Sequence, residues 1–469
     1  MVRALPLLFA ALALLPSTLL AHGVLKSSVP AKDAHVDSAP SELRLTFAAT
    51  STLSVTRLRL IGPDGAMVLL GPLRHADGDS AHVVVAEVRG RMSIGTYVVE
   101  WQSVGADGHP VRGNYSFMVM NDPPAGSTAE THAMVMPSDT GGPPHLMEMA
   151  GETHGFNAES PAFVLIRWIT FLALVALIGV VFFHSFVLRR LGAGTSPALP
   201  AAVLAAARAR AARLGYWAAV TLGLAALARL GAQAYAVFGA DALDLRLLAS
   251  LLGSLLGGTI WGTAWMMQVG AVIAVLAGFS RVRHAHADGW GVVTIGAVVL
   301  AVTPALSGHA VAVPDTAPLS VLADTVHVLG ASGWVGTLAL IFFAGIPALR
   351  PLPAGEFEHG VALLVRAFSP VALVCAAALA MSGVFAAWVH LGSVAALWQP
   401  GYGRTLAIKL GLLGIVGVTG LYNWRRVTPT LETSLGVARL RRTVIVELSV
   451  AVMVLLATAV LVATPTPMD

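Results

Sequence analysis

The chain has 469 residues, of which 56% are hydrophobic and only 12% charged, roughly half the charged share of a soluble domain, so a single water-soluble globule is excluded. Its net charge of +4 comes from 29 Lys and Arg against 25 Asp and Glu, and the arginines lie between long apolar runs, which indicates a membrane protein and not a nucleic-acid binder. The one cysteine, Cys375, sits inside such a run, which excludes an intrachain disulfide framework and a multi-cysteine zinc site.

Residues 1–21 have a basic start at Arg3, an apolar stretch from Ala4 to Leu15 and a break at Pro16 before small residues, the pattern of a secretory signal peptide. Cleavage after Ala21 makes His22 the first mature residue and puts the following segment outside the cytoplasm. The other reading, an uncleaved anchor, meets an apolar core shorter than the ~20 residues needed to cross a bilayer.

Residues 22–120 read as a small β domain. Apolar residues alternate at Leu43, Leu45 and Phe47, at Val55, Leu58 and Leu60, at Tyr97 to Trp101, and at Tyr115, Phe117 and Val119, with a further strand at Val83 to Val88. Gly62-Pro63-Asp64-Gly65, Asp77-Gly78 and Asp107-Gly108 supply turn residues between them, and this spacing favours a sandwich or small barrel. A mature His22 would offer both its α-amine and its imidazole, while Asp107 and His109 lie two apart at a turn. The resulting N,N,N,O set suits Cu(II) better than Zn(II), Mg(II) or Cu(I), since it lacks thiolate and thioether donors. The plainer alternative is a hairpin with a solvated histidine.

Ala21-His22-Gly23 with Ser27 to Pro30, the strand Gly95 to Trp101, and the run Ser103 to Gly113 followed by Tyr115 and Phe117 resemble the CopC copper-binding domain. The resemblance implies a cupredoxin- or immunoglobulin-like β fold with a Cu(II) site at His22, Asp107 and His109. Some members also have a methionine-rich Cu(I) site in the early strands; Leu45 to Leu60 contains no methionine, so that second site is not carried over.

Residues 121–160 lack periodicity and are rich in Pro, Gly, Ser and Thr, as expected of a flexible linker. Met134, Met136, Met147 and Met149 with His132, His145 and His154 could exchange soft Cu(I), or the segment is a plain tether.

Beyond the linker, apolar runs near 161–188, 213–238, 259–281, 290–311, 319–347, 361–391, 403–424 and 438–463 predict an all-α membrane domain of about eight helices over 161–463. Leu243 to Leu256 is leucine-rich but reads as interfacial or re-entrant. Arg189, Arg190, Arg208, Arg210, Arg281, Arg283, Arg350, Arg425, Arg426, Arg439, Arg441 and Arg442 all follow odd-numbered spans. Positive charge marks the cytoplasmic side, so the β domain and the C-terminus lie outside, in agreement with the signal peptide.

In that orientation His309, His327 and His390 fall near the outer face, with Asp324 three residues before His327 on the same side of its helix. Ionisable groups in spans are costly unless they meet a partner, a cavity or a permeating ion, which makes these residues candidate copper ligands. Each could also be an ordinary interfacial histidine. Lys409 and Glu447 could pair across neighbouring helices, and Met266, Met267 and Met381 could extend a thioether path inward.

Ser307-Gly308-His309-Ala310, Asp324 to His327 leading to Gly333-Trp334-Val335-Gly336, Phe368-Ser369-Pro370, Tyr402-Gly403-Arg404 with Lys409, Tyr422 to Arg426 and Glu447 resemble the CopD copper resistance and uptake family. The pairing resembles a CopC–CopD fusion. It implies a non-enzymatic protein of the bacterial inner membrane that binds copper outside and imports it, contributing to copper homeostasis. Its partners would be copper ion, as Cu(II) at the first site and Cu(I) or Cu(II) in the membrane, the lipid bilayer and periplasmic copper chaperones. No nucleotide-binding loop occurs, and a potential negative inside favours cation entry. The rival readings are a haem-binding electron-transfer protein using paired membrane histidines, a copper oxidase built on an N-terminal histidine brace, and sequestration outside without transport.

Overall fold

The computed structural model describes residues 25–48, 50–76, 78, 81–104, 110–121, 160–193, 199–286, 288–308, 317–391, 397–398 and 401–464. Candidate ligands His22, Asp107, His109 and His309 lie outside this set, as does the linker, and of His390 only the helical backbone is described.

The N-terminal region is a two-sheet β structure. One sheet has the order β1 (Leu25–Val29), β3 (Glu42–Phe47), β7 (Val83–Glu87), β6 (Arg74–His75). The other has the order β2 (His35–Val36), β9 (Pro110–Val119), β8 (Gly95–Val104), β4 (Arg57–Ile61), β5 (Met67–Val68). The inward set of the alternating strands closes the core: Leu43, Leu45, Phe47, Leu60, Val99 and Phe117 are almost fully buried. Phe47 meets Trp101 edge-on at 5.1 Å between ring centroids, joining the two sheets.

Among the described residues, nine helices follow: α1 (Pro161–Gly192), α2 (Ala201–Phe238), α3 (Leu245–Gly258), α4 (Ile260–Arg283), α5 (Gly289–Leu306), α6 (Ala317–Leu349), α7 (Ala354–Leu391), α8 (Tyr402–Tyr422) and α9 (Ser434–Leu461). All but α3 are long and apolar enough to cross a membrane. Helix α3 has 14 residues, about 21 Å at 1.5 Å per residue, too short to span ~30 Å of hydrocarbon. The Asp244 side chain caps the start of α3 by accepting from Arg246 N, and at the α3–α4 corner Thr259 Oγ1 accepts from Gly262 N at 2.8 Å while donating to the Leu255 carbonyl. Helix α2 begins at Ala201, earlier than the 213 expected from hydropathy, because its first turns are rich in alanine, a strong helix former, and carry arginines that lower the hydropathy.

The bundle is built on close backbone approach. A Cβ at Gly179 of α1 would stand 2.5 Å from the Gly336 carbonyl carbon of α6, so only glycine lets these helices meet here.

Candidate functional site

The β domain sits directly on one end of the bundle. Val55 and Val104 bury themselves with Ala234, Val237, Phe238, Leu255 and Trp261 in one apolar cluster. Around it, polar groups of the β domain satisfy the C-terminal carbonyls of α2, which have no partner inside their own helix. Arg112 Nη2 donates to the Ala236 carbonyl at 2.9 Å, and Gln102 Nε2 donates to the Val237 carbonyl. Arg57 pairs with Asp241 at 2.8 Å and lies 5.3 Å from the centre of the Phe238 ring. Burial, with the positive charge of Arg57, lowers the Arg112 pKa from its ordinary value. The group still sits at the negative end of a helix dipole, where a cation belongs.

Next to this docking surface is a chamber of about 310 Å³ inside the bundle. Its walls are mainly apolar, and its polar lining includes Arg167, Arg229, Ser307, Asp324, His327 and Lys409. The positions of these residues place it near the end where the β domain docks: Arg167 is in the second turn of α1, Asp324 and Lys409 are two turns into α6 and α8, and Ser307 ends α5. Trp261 belongs both to the docking cluster and to the chamber wall.

His327 is the candidate ligand that the structure describes in full. Its Nδ1 lies 3.1 Å from Ser382 Oγ, and the Ser382 hydroxyl gives its own proton to the Ala378 carbonyl at 2.7 Å. With the Ser382 proton on that carbonyl, Nδ1 is the donor to Ser382 and Nε2 the unprotonated nitrogen, the form that ligates a metal. Among the described residues, no three His, Cys, Asp or Glu side chains gather into a metal-holding group. The flanks of the other candidates nevertheless reach the same region. Gly308, just before position 309, lines the chamber; so do Ala386 and Ala387, one helical turn before position 390. The paired residues Val104 and Pro110 flank positions 105–109, which lie outside the described residues, and Val104 packs in the cluster that includes Trp261.

Two possibilities raised by the sequence are not realised. Glu447 does not pair with Lys409: it accepts from Asn423 Nδ2 at 2.8 Å, whereas Lys409 faces the chamber with Asp324. Met266, Met267 and Met381 do not line the chamber but are exposed on the outside of the bundle. The structure adds Arg167, Arg229 and Ser382. Arg167 and Arg229 carried the same signal as Lys409, a lone charge inside an apolar run, whereas Ser382 had no signal beyond being a hydroxyl in a helix.

A helical bundle with eight helices apolar enough to span, a mainly apolar chamber lined by a few charged groups, and a β domain seated at its end defines a multi-pass membrane protein with an extramembrane β domain. Three family models match the chain: the CopC domain over residues 25–120, the copper resistance protein D-like N-terminal domain over 158–317 and copper resistance protein D over 362–461. The chain belongs to the family that joins a CopC domain to a copper resistance protein D domain in one polypeptide. It is 26% identical over 463 residues to the copper transport protein CutJ of Bacillus subtilis, across 97% of this chain and 76% of that one. It is 37% identical over 106 residues to copper resistance protein C of Escherichia coli, across 21% of this chain and 82% of that one. The crystal structure of PcoC, a methionine-rich copper resistance protein from Escherichia coli, aligns at 32% identity and a TM-score of 0.19, covering 21% of this chain and 99% of that one.

Proposed function

We propose that this protein acquires copper outside the cytoplasm and passes it inward across the bacterial inner membrane. After removal of residues 1–21, the His22 amine and imidazole with Asp107 and His109 hold Cu(II) on the β domain. The metal then moves to the chamber, where His327, with His309 and His390, receives it. The observation that supports this reading is the sharing of Trp261 between the docking cluster, which includes Val104 of the β domain, and the chamber wall.

The copper names of the family and of its relatives support the choice of metal. The distribution of arginine supports the direction. Arg189, Arg190, Arg281, Arg283, Arg425, Arg426, Arg439, Arg441 and Arg442 stand near helix ends opposite the β domain, a distribution that under the positive-inside rule supports a periplasmic β domain. A membrane potential negative inside contributes about 2.3 kcal/mol per charge per 100 mV to cation entry, so import needs no nucleotide hydrolysis. Periplasmic copper chaperones are the natural donors to the first site. Cells making the protein are expected to accumulate radiolabelled copper faster than cells lacking it; equal accumulation overturns import and leaves sequestration outside.

A further inference from the structure

The chamber is more positive than a path for a bare cation should be. Arg167 from α1, Arg229 from α2 and Lys409 from α8 all line it, against one described carboxylate, Asp324. Asp324 is near enough to Lys409 for the two charges to attract, and the two guanidiniums are near enough to each other to repel. Neutral groups hold both arginines. Arg167 donates to the Ala459 carbonyl at 3.1 Å and lies 5.2 Å from the Phe163 ring centre. Arg229 donates to Ser307 Oγ at 3.0 Å and stacks 5.3 Å from the Trp261 ring centre, and its Nε is buried without a hydrogen-bond partner. Among the described residues the contacts that hold the two guanidiniums are a backbone carbonyl, a hydroxyl and aromatic rings, in a largely apolar chamber. Charges buried in this way are costly unless something pairs them, and a bare divalent copper ion would add to the repulsion.

We propose that the chamber binds an oxyanion, and that copper reaches His327 together with it, as a carboxylate chelate and not as the naked ion. Guanidinium forks grip carboxylates through paired N–H donors, and Lys409 adds a mobile point charge. The copper half of this proposal rests on the import reading above; the oxyanion site does not.

The test uses the full-length protein in a neutral maltoside detergent, titrated calorimetrically with citrate, with the Cu(II)–citrate chelate and with CuCl2. Citrate alone is expected to bind. Arg229→Gln and Lys409→Gln should each weaken citrate and chelate binding at least about tenfold, with partial recovery in Arg229→Lys, while CuCl2 binding through the β domain is unchanged. Lys409→Gln is the safeguard should Arg229→Gln fail to fold. Failure of citrate to bind the wild type overturns the proposal. So does stronger copper uptake in Lys409→Gln than in the parent, the response of a pathway for bare cations. A third arm places the protein in phosphatidylcholine nanodiscs with and without phosphatidylglycerol: competition of that lipid with citrate assigns the oxyanion to a headgroup and overturns the chelate route, and its absence supports it. If the import reading alone is wrong, citrate binding and its loss in the variants persist while cells show no uptake.

Discussion

The Ser382 hydroxyl oxygen lies 3.1 Å from His327 Nδ1 and 2.7 Å from the Ala378 carbonyl of its own helix, so one serine sets the direction of the imidazole ring. Partners of this kind, behind a metal-binding imidazole, change metal affinity by about 10- to 100-fold when removed. Ser382→Ala is therefore expected to lower the rate of copper uptake by about tenfold while the purified protein keeps its melting temperature to within a few degrees. Uptake assays with thermal melts of the same preparation check this, and an unchanged rate would remove His327 as a ligand oriented by Ser382.

Docking of the β domain makes a second prediction, in which two polar contacts differ in weight. The Arg57–Asp241 pair is partly exposed, at 35% and 48% of the side-chain surface, and should contribute no more than about 1 kcal/mol. Arg112 is different, because its loss leaves a helix-terminal carbonyl without its donor, a cost of about 1–3 kcal/mol. Hydrogen exchange on the full-length protein should therefore show faster exchange at 234–238 in Arg112→Ala and little change in Asp241→Asn.

Helix contact gives a third. Gly179→Leu places side-chain atoms where the Gly336 backbone stands, so α1 and α6 must separate and the melting temperature in detergent should fall by many degrees. At Gly231, where an added Cβ meets nothing within 4 Å, Gly231→Ala should leave stability unchanged or raise it by up to about 1 kcal/mol.

A fourth concerns the β core. Phe117 is 1% exposed and stacks on Tyr97 at 5.7 Å, so Phe117→Ala is expected to cost about 3–5 kcal/mol. Limited proteolysis of the full-length protein should then cut within 25–120 while the helical region stays intact.

Much of the architecture could be read from residue patterns because the physics is local. Twenty apolar residues must span, and Leu43, Leu45 and Phe47 must share a face. Strands β2, β5 and β6 could not be read, since two residues make no alternation. In the chamber, Asp324, His327 and Lys409 announced themselves as lone polar groups in apolar runs. Their meeting did not, because it depends on how α1, α2, α6 and α8 rotate against each other, which close contacts such as Gly179 with Gly336 decide. The same rotations turned Met266, Met267 and Met381 outward and gave Glu447 to Asn423 instead of Lys409.

Initial rates of radiolabelled copper uptake, measured across external copper concentration for His109→Ala and His327→Ala beside the parent, test the two-site account most directly. Loss of the capturing group should raise the copper concentration needed for half-maximal uptake while leaving the maximal rate near the parent's, and loss of His327 should depress the maximal rate at every concentration. Parent-like curves for both variants would contradict it.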